Sequence, residues 1–297
     1  MLTHHWPKAT APDRVVVLGA RGFVGRTLLT ALASAEIPSI GLSSADLDLA
    51  APGAGEKLAG ILRPTDTLVM LSALTPDKGR GAGTFMANLR MSEAVSDALQ
   101  KVAPAHVVYM SSNAVYPVVC GPISEATPAE PLDLYGAMHL SRELMLKAAT
   151  QAPLAVLRPI MIYGAGDTHN SYGPNRLRRA AHKDGKITLF GGGEEMRDHI
   201  SVDDVVGLLL MTLLHRSAGT LNLATGRSIS YLDLAYKIAD QFSDPIDVVL
   251  TPRQSPINHQ HYDIINLRRA FPAFVFETID DGLAKAHREM LAEALPT

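Results

Sequence analysis

The chain has 297 residues, enough to bury a full core without covalent staples, and its 27 lysines and arginines face 30 acidic residues for a net charge of −3. That balance leaves no overall basic field to hold nucleic acid or an anionic membrane, and the lone Cys120 cannot close an internal disulfide. Without an apolar run of about 18 residues or an apolar signal core, a cytoplasmic protein is expected.

Residues 1–13, with His4 and His5, read as a loose and solvated N-terminal tail. From Asp13 onward short apolar runs alternate with longer amphipathic ones, the pattern of β-α-β units on a parallel sheet. Strands are predicted at 14–18, 38–42, 67–71, 106–110 and 154–158. Crossover helices are predicted at 24–35, 84–102 and 134–150, the last rich in Leu, Met, Ala, Arg and Glu. After Arg158 the character changes, since 164–174 is dense in Gly, Asn, His and Pro and 190–194 is a knot of glycines. The expected fold is α/β: a Rossmann-type doubly wound parallel sheet over 14–160, then a smaller α/β substrate-binding lobe over 161–297. Some segments of that lobe are expected to return to the sheet. A strand at 220–223 and helices at 231–242 and 279–294 complete the reading.

The strongest local signal is Val15-Val16-Val17-Leu18-Gly19-Ala20-Arg21-Gly22-Phe23-Val24-Gly25, an apolar strand running through three spaced glycines into a helix. Glycine lets the backbone turn sharply and lets a diphosphate approach the amides, and the helix start adds unpaired N–H groups and a positive dipole end. A carboxylate at the end of the second strand would accept from a ribose 2′-hydroxyl and repel a 2′-phosphate. Ser43 and Ser44 stand there instead, and Arg21 adds charge, so NADP is expected, with NAD possible because Asp46 and Asp48 are near.

Farther on, Tyr109-Met-Ser-Ser places Ser111 and Ser112 at the carboxyl end of a strand, where open α/β sheets hold ligands, and Tyr135-Gly-Ala-Met-His139 opens a helix. Together with Val115-Tyr116, Leu157-Arg-Pro, Ile162-Tyr-Gly164, Arg197-Asp-His-Ile-Ser-Val-Asp-Asp204 and Leu221-Asn-Leu-Ala-Thr-Gly226, these motifs make the chain resemble extended short-chain dehydrogenase/reductases of the nucleotide-sugar epimerase/dehydratase group, over residues 14–283. The resemblance implies hydride exchange between a nicotinamide and a sugar, with Tyr135 as proton shuttle, Ser112 orienting the reacting oxygen and His139 holding the ribose. With it, the expected cofactor wall comprises Gly19, Arg21, Gly22, Phe23, Val24, Gly25, Ser43, Ser44, Asp48, Leu49, Leu71, Ser72, Ala73, Met110, Tyr135, His139 and Pro159. Ser112, Asn175, Arg176, Phe190 and Arg197 are the expected substrate contacts.

Two positions depart from the family pattern. Lysine is expected where His139 stands, and its loss removes a fixed cation that would favour phenolate, which is kinder to ketone reduction than to alcohol oxidation. Asparagine is expected where Met161 stands. Dehydratases of the group carry Asp-Glu where this chain has Asn113 and Ala114, so that branch is disfavoured. An NAD(P)-dependent epimerase or keto-reductase is thus expected, the alternative being a dinucleotide-binding scaffold or sensor with altered catalysis. No metal site is expected: His259 and His261 fall in a substrate-lobe segment, Cys120 has no visible base, and Asp203 and Asp204 read as organisers of their loop and the next helix. By resemblance alone the helices at 84–102 and 134–150 would pair in a homodimer. The partner otherwise expected is a small sugar molecule.

Overall fold

The structure, a computed structural model, describes residues 2–167, 173–253 and 255–294. In chain order the first half runs β1 (Thr3–His4), β2 (Arg14–Leu18), α1 (Phe23–Ser34), β3 (Ser39–Leu42), α2 (Ala54–Ile61), β4 (Asp66–Met70), α3 (Ala82–Lys101), β5 (His106–Met110), β6 (Pro122–Ile123), α4 (Leu134–Ala149) and β7 (Leu154–Pro159). The second half runs β8 (Met161–Tyr163), α5 (Pro174–Asp184), β9 (Lys186–Phe190), β10 (Met196–Ser201), α6 (Val202–Leu214), β11 (Ser217–Leu223), β12 (Ser228–Ser230), α7 (Tyr231–Ala239), β13 (Asp247–Thr251), β14 (His261–Tyr262), α8 (Ile265–Ala270) and α9 (Ile279–Ala294).

Seven strands form the main sheet in the order β1-β11-β7-β5-β4-β2-β3, parallel throughout except for β1. The chain starts its parallel strands in the middle: β2 has β3 on one side and β4 on the other, so the winding reverses beside β2, where doubly wound sheets bind ligands. Successive residues of a strand point to opposite faces. Val15 and Val17 accordingly pack with Leu28 and Leu32 of α1 and Leu208 and Leu209 of α6, while Val16 and Leu18 pack with Leu58 of α2, Val95 and Leu99 of α3 and Leu146 of α4. Burial on both faces is why these strands are unbroken apolar runs. At the amino end of β2 and β4 the Arg14 guanidinium forks onto the buried Asp66 carboxylate at 2.8 and 2.6 Å.

The N-terminal tail is not loose. Thr3 and His4 pair antiparallel with Ala218 and Ser217 of β11, Leu2 is buried, and the His4 ring bonds Ser217 Oγ and the Ala270 carbonyl, each at 2.8 Å. Trp6 N–H and Thr10 N–H then donate to the His215 and Leu214 carbonyls. The physical reason is the edge of β11, whose backbone groups need partners; local sequence carries no sign of a partner more than 200 residues away.

A second core gathers Tyr163, Leu177, Ala181, Ile187, Leu189, Leu234, Ile238 and Leu283 from α5, α7, α9 and the strands around them. It lies with the small sheets β12-β10-β8 and β13-β9. By contrast α6, β11 and α8 rejoin the main sheet and its core.

Candidate active site

The turn from β2 into α1 is shaped by glycine where nothing larger fits. Gly19 has φ +90°, and a Cβ on Gly25 would stand 2.2 Å from the Gly19 carbonyl oxygen. At the N-cap of α1, Gly22 provides no side chain to occupy the first free N–H groups, and the first turn holds no acidic residue. Uncapped amides and a positive helix end remain available to an anion. They open on a cleft of about 1100 Å³ at the carboxyl ends of β2, β3 and β4.

Its walls are Gly19, Arg21, Gly22, Phe23, Val24 and Gly25 from that turn, Ser43, Ser44, Asp48 and Leu49 beyond β3, and Leu71, Ser72 and Ala73 beyond β4. Ser43 is buried, and its N–H and hydroxyl both donate to Asp46 Oδ2 at 2.9 and 2.6 Å. Those bonds, with the nearby Arg21 charge, hold the Asp46 carboxyl below its ordinary range. Ser43 therefore has its proton committed, and Ser44 and Arg21 are exposed at this end with no side-chain hydrogen-bond partner among the described residues. Asp48 is exposed and accepts from Ala50 N–H at 3.0 Å.

A second cleft of about 1050 Å³ shares Phe23, Val24, Leu71, Ala73 and Thr75 with the first, so the two are continuous. Met110, Ser112, Tyr135, His139, Pro159, Met161 and Asn175 line it. Ser112 lies two residues beyond the end of β5, and its Oγ caps a short 3₁₀ turn, Asn113–Val115, by accepting from Ala114 N–H at 3.1 Å. Tyr135 sits in the first turn of α4, whose N-cap Asp133 accepts from Gly136 N–H at 2.8 Å. That helix start is pressed so closely on the turn after β5 that a Cβ on Gly136 would meet the Ala114 carbonyl oxygen at 2.0 Å. The close approach sets the Ser112 hydroxyl and the Tyr135 phenol on the same wall of the cleft. Burial pushes that phenol up to about 12, opposed by the Ser112 hydroxyl and the charge of Arg142.

His139 follows one turn later, edge-on to the Tyr135 ring with centroids 4.7 Å apart. It is buried, its Nδ1 lies 2.7 Å from the Tyr109 hydroxyl, and burial, then the Arg142 charge, hold it well below the ordinary imidazole range. At pH 7 this imidazole is neutral. Neither Tyr109 nor Arg142 is legible from the sequence as part of a site, since only burial and the fold bring them behind His139.

Every residue expected on the cofactor wall stands on this double cleft. The substrate contacts are brought together less completely. Asn175 lines the cleft, yet its Oδ1 accepts from Gly164 N–H at 3.1 Å and its Nδ2 donates to Asp167 at 2.8 Å. Arg197 lies off the wall, donating to the Met196 and Asn258 carbonyls and paired with Glu195. Phe190 is 46% exposed at the end of β9, and Arg176 is exposed on α5. Residues 168–172, within the glycine- and asparagine-rich stretch singled out above, lie outside the described residues. His259 and His261 stack 6.2 Å apart and engage Met196 N–H and the Ser228 hydroxyl. Cys120 is exposed.

A pyridine dinucleotide fits what these residues offer: a cradle that a single methyl group would fill, free amides for a diphosphate, and a buried imidazole nitrogen that has no partner among the described residues at the chemical end. Comparison with known proteins agrees. A sugar epimerase from Escherichia coli O157:H7, N-acetyl-alpha-D-glucosaminyl-diphospho-ditrans,octacis-undecaprenol 4-epimerase, is 28% identical over 219 residues, 70% of this chain and 65% of the relative. The chain thus spans slightly less than two thirds of that relative's length. Among solved structures, MoeE5 in complex with UDP-glucose and NAD superposes with TM-score 0.82 at 24% identity, covering 95% of this chain and all of MoeE5. A GDP-L-fucose synthetase from Naegleria fowleri does so with TM-score 0.85 at 17% identity, covering 99% and 98%. The model of the NAD dependent epimerase/dehydratase family matches residues 15–224, and the chain belongs to that family.

Proposed function

We propose that the protein is an NAD(P)-dependent epimerase or keto-reductase acting on a sugar carried on a diphosphate, most simply a nucleotide-diphosphate sugar. The observation that carries this reading is the convergence of Ser112, Tyr135 and His139 on one wall of a cleft continuous with the glycine cradle. A bound nicotinamide would supply the hydride chemistry that no side chain can. The amides of the first turn of α1, Phe23 to Gly25, hold the diphosphate, the Gly22 N–H being taken by the Gly19 carbonyl at 3.0 Å, Arg21 and Ser44 receive a ribose 2′-phosphate, and Asp46 limits the preference for NADP over NAD. Ser112 orients the sugar oxygen. Tyr135 exchanges the proton.

The charge state of Tyr135 sets the favoured direction. With its phenol up to about 12, only about 10⁻⁴ of it is phenolate at pH 8, so it stands ready as an acid for ketone reduction and is a scarce base for alcohol oxidation. Oxidation should accordingly climb with pH across the neutral range, as the phenolate fraction grows, while reduction stays flat. Dehydration is the disfavoured branch: Asn113 and Ala114 follow Ser112, Asn113 donates to the Tyr262 hydroxyl, and Asp167, a carboxylate that does line this wall, is tied to Asn175 and Arg179.

The test is a panel of nucleotide-linked keto-sugars with NADPH or NADH, and UDP-sugars with NAD, followed by nicotinamide absorbance. Turnover of a panel member should fall about 10²- to 10⁴-fold in Tyr135→Phe with dinucleotide affinity within about twofold of wild type. Unchanged turnover refutes the assignment. Tight dinucleotide binding with a silent panel favours the scaffold or sensor reading, to which the loss of a fixed cation at position 139 lends support.

A further inference from the structure

The chemical end of the cleft contains a donor or acceptor that the protein leaves unsatisfied. His139 is 3% exposed, its Nδ1 is taken by the Tyr109 hydroxyl, and its buried Nε2 has no hydrogen-bond partner among the described residues. The two ways of placing the proton are not equivalent. Tyr109 is fully buried, and His139 is the partner its hydroxyl has among the described residues. A proton on Nδ1 would turn the phenol into an acceptor, leaving both its own hydrogen and the Nε2 lone pair unpaired. A phenol that donates to Nδ1 leaves one group over, an Nε2–H, and fewer unpaired buried groups is the cheaper arrangement. Burial also pushes the Tyr109 phenol up, so it has a proton to give.

The surroundings then determine the charge. Arg142 lies three residues on along α4, fully buried, with its guanidinium 5.2 Å from the Tyr109 ring centre. Its partners are neutral: Ser92 Oγ and the Ser72 carbonyl at 2.7 Å each, and Met138 Sδ at 3.6 Å. Among the described residues no carboxylate pairs with it. Glu143, the next residue, is held by Arg158 at 2.6 and 2.9 Å and by the Ser111 hydroxyl at 2.5 Å. The imidazole is therefore faced by the phenols of Tyr109 from β5 and Tyr135 from α4, by Arg142 from α4, and by the neutralised Glu143–Arg158 pair behind them. A second positive charge on the ring would stand beside an uncompensated first. Leaving a guanidinium buried without a counter-charge is itself costly, and its field here acts on Tyr109, Tyr135 and His139 together.

We propose that Tyr109 and Arg142 are positioning residues that hold His139 as a neutral Nε2–H donor in the cleft wall, where it donates to a ribose hydroxyl of the bound dinucleotide in place of a fixed cation. This rests on the reading of the cleft as a pyridine dinucleotide site. Tyr109 sets the tautomer, Arg142 adds its charge to the burial that already disfavours the charged form, and Tyr135 remains the group that exchanges a proton with substrate.

Imidazole nitrogen shifts report tautomer and protonation without any turnover. In protein labelled with ¹⁵N-histidine, with the His139 signals assigned by their loss in His139→Gln, Nδ1 should be bare and Nε2 protonated from pH 5.5 to 9 before any dinucleotide is added. A wild-type ring that carries its proton on Nδ1, or titrates near pH 6.5, overturns the proposal without recourse to a variant. Tyr109→Phe should mix the tautomers; Arg142→Met should raise the pH at which the ring takes up a second proton, and Arg142→Lys should lower it again. Unchanged spectra in folded Tyr109→Phe and Arg142→Met refute the positioning roles. On adding NADP⁺ the Nε2–H signal should shift while Nδ1 stays bare, and Tyr109→Phe should weaken NADP⁺ about tenfold. If NADP⁺ binds by calorimetry and Nε2–H does not move, the ribose contact is refuted. If neither NADP⁺ nor NAD⁺ binds, the dinucleotide reading fails and the donor role falls with it, while the tautomer stands as measured.

Discussion

At Gly136 the difference between a hydrogen atom and a methyl group decides whether the site assembles. A Cβ there would press into the Ala114 carbonyl oxygen at 2.0 Å, so only glycine lets the first turn of α4 close on the turn after β5 and bring Tyr135 to Ser112. The Tyr135-Gly136 pair was legible in the sequence as a motif of the family the chain resembles, and the structure supplies the backbone reason for the glycine. Tyr109 and Arg142 carry no such signature: an arginine on an amphipathic helix and a tyrosine in an apolar strand read as a surface charge and a core aromatic until burial is known. Ser43 shows the converse. Its position at the end of β3 was readable, but the capture of its hydroxyl by Asp46 at 2.6 Å was not. On the proposed reading, in which Arg21 and Ser44 receive the ribose 2′-phosphate, Arg21→Ala should weaken NADP⁺ about tenfold or more while leaving NAD⁺ within about twofold, measured by calorimetric titration of each. Equal losses for both would remove Arg21 from the 2′-phosphate contact.

Among the elements, those buried on both faces were the most legible, and β2 and β5 run from Arg14 to Leu18 and from His106 to Met110 as their apolar runs predict. Helix α2 and the short strands of the second core, such as β8 and β12, have too few residues for periodicity to declare them. The N-terminal strand was read as a loose tail because its partner, β11, follows some 200 residues later and pairing across that distance leaves no local pattern. Its contribution is measurable. Deleting residues 1–5 removes the buried Leu2, the β1 ladder and both His4 hydrogen bonds, a loss of about 2–4 kcal/mol. A fall in Tm of about 3–8 °C in a thermal scan is expected, together with self-association through the uncovered edge of β11. An unchanged Tm would mean that β1 adds nothing to the sheet.

On the scale of the whole molecule, one order of strands explains where everything sits. Because β3 and β4 flank β2, the loops at their carboxyl ends diverge and leave a crevice. β5 and α4 extend it toward Ser112, Tyr135 and His139, and residues around Met161 and Asn175 from the second half of the chain complete its far wall. The alternation of strands and helices made this architecture readable from the sequence. The substrate side was less so: Phe190 and Arg197 lie on the short strands β9 and β10, Arg176 is exposed on α5, and no local pattern told which of them faces the cleft. The central claim is that this crevice grips a pyridine dinucleotide by the amides of the β2–α1 turn. Isothermal titration of the folded protein with NADPH, NADP⁺ and NAD⁺ tests it most directly: micromolar binding of at least one is expected, lost in Gly25→Ala, whose added methyl would stand 2.2 Å from the Gly19 carbonyl oxygen. No heat with any of the three, or undiminished binding by a folded Gly25→Ala protein, would contradict it.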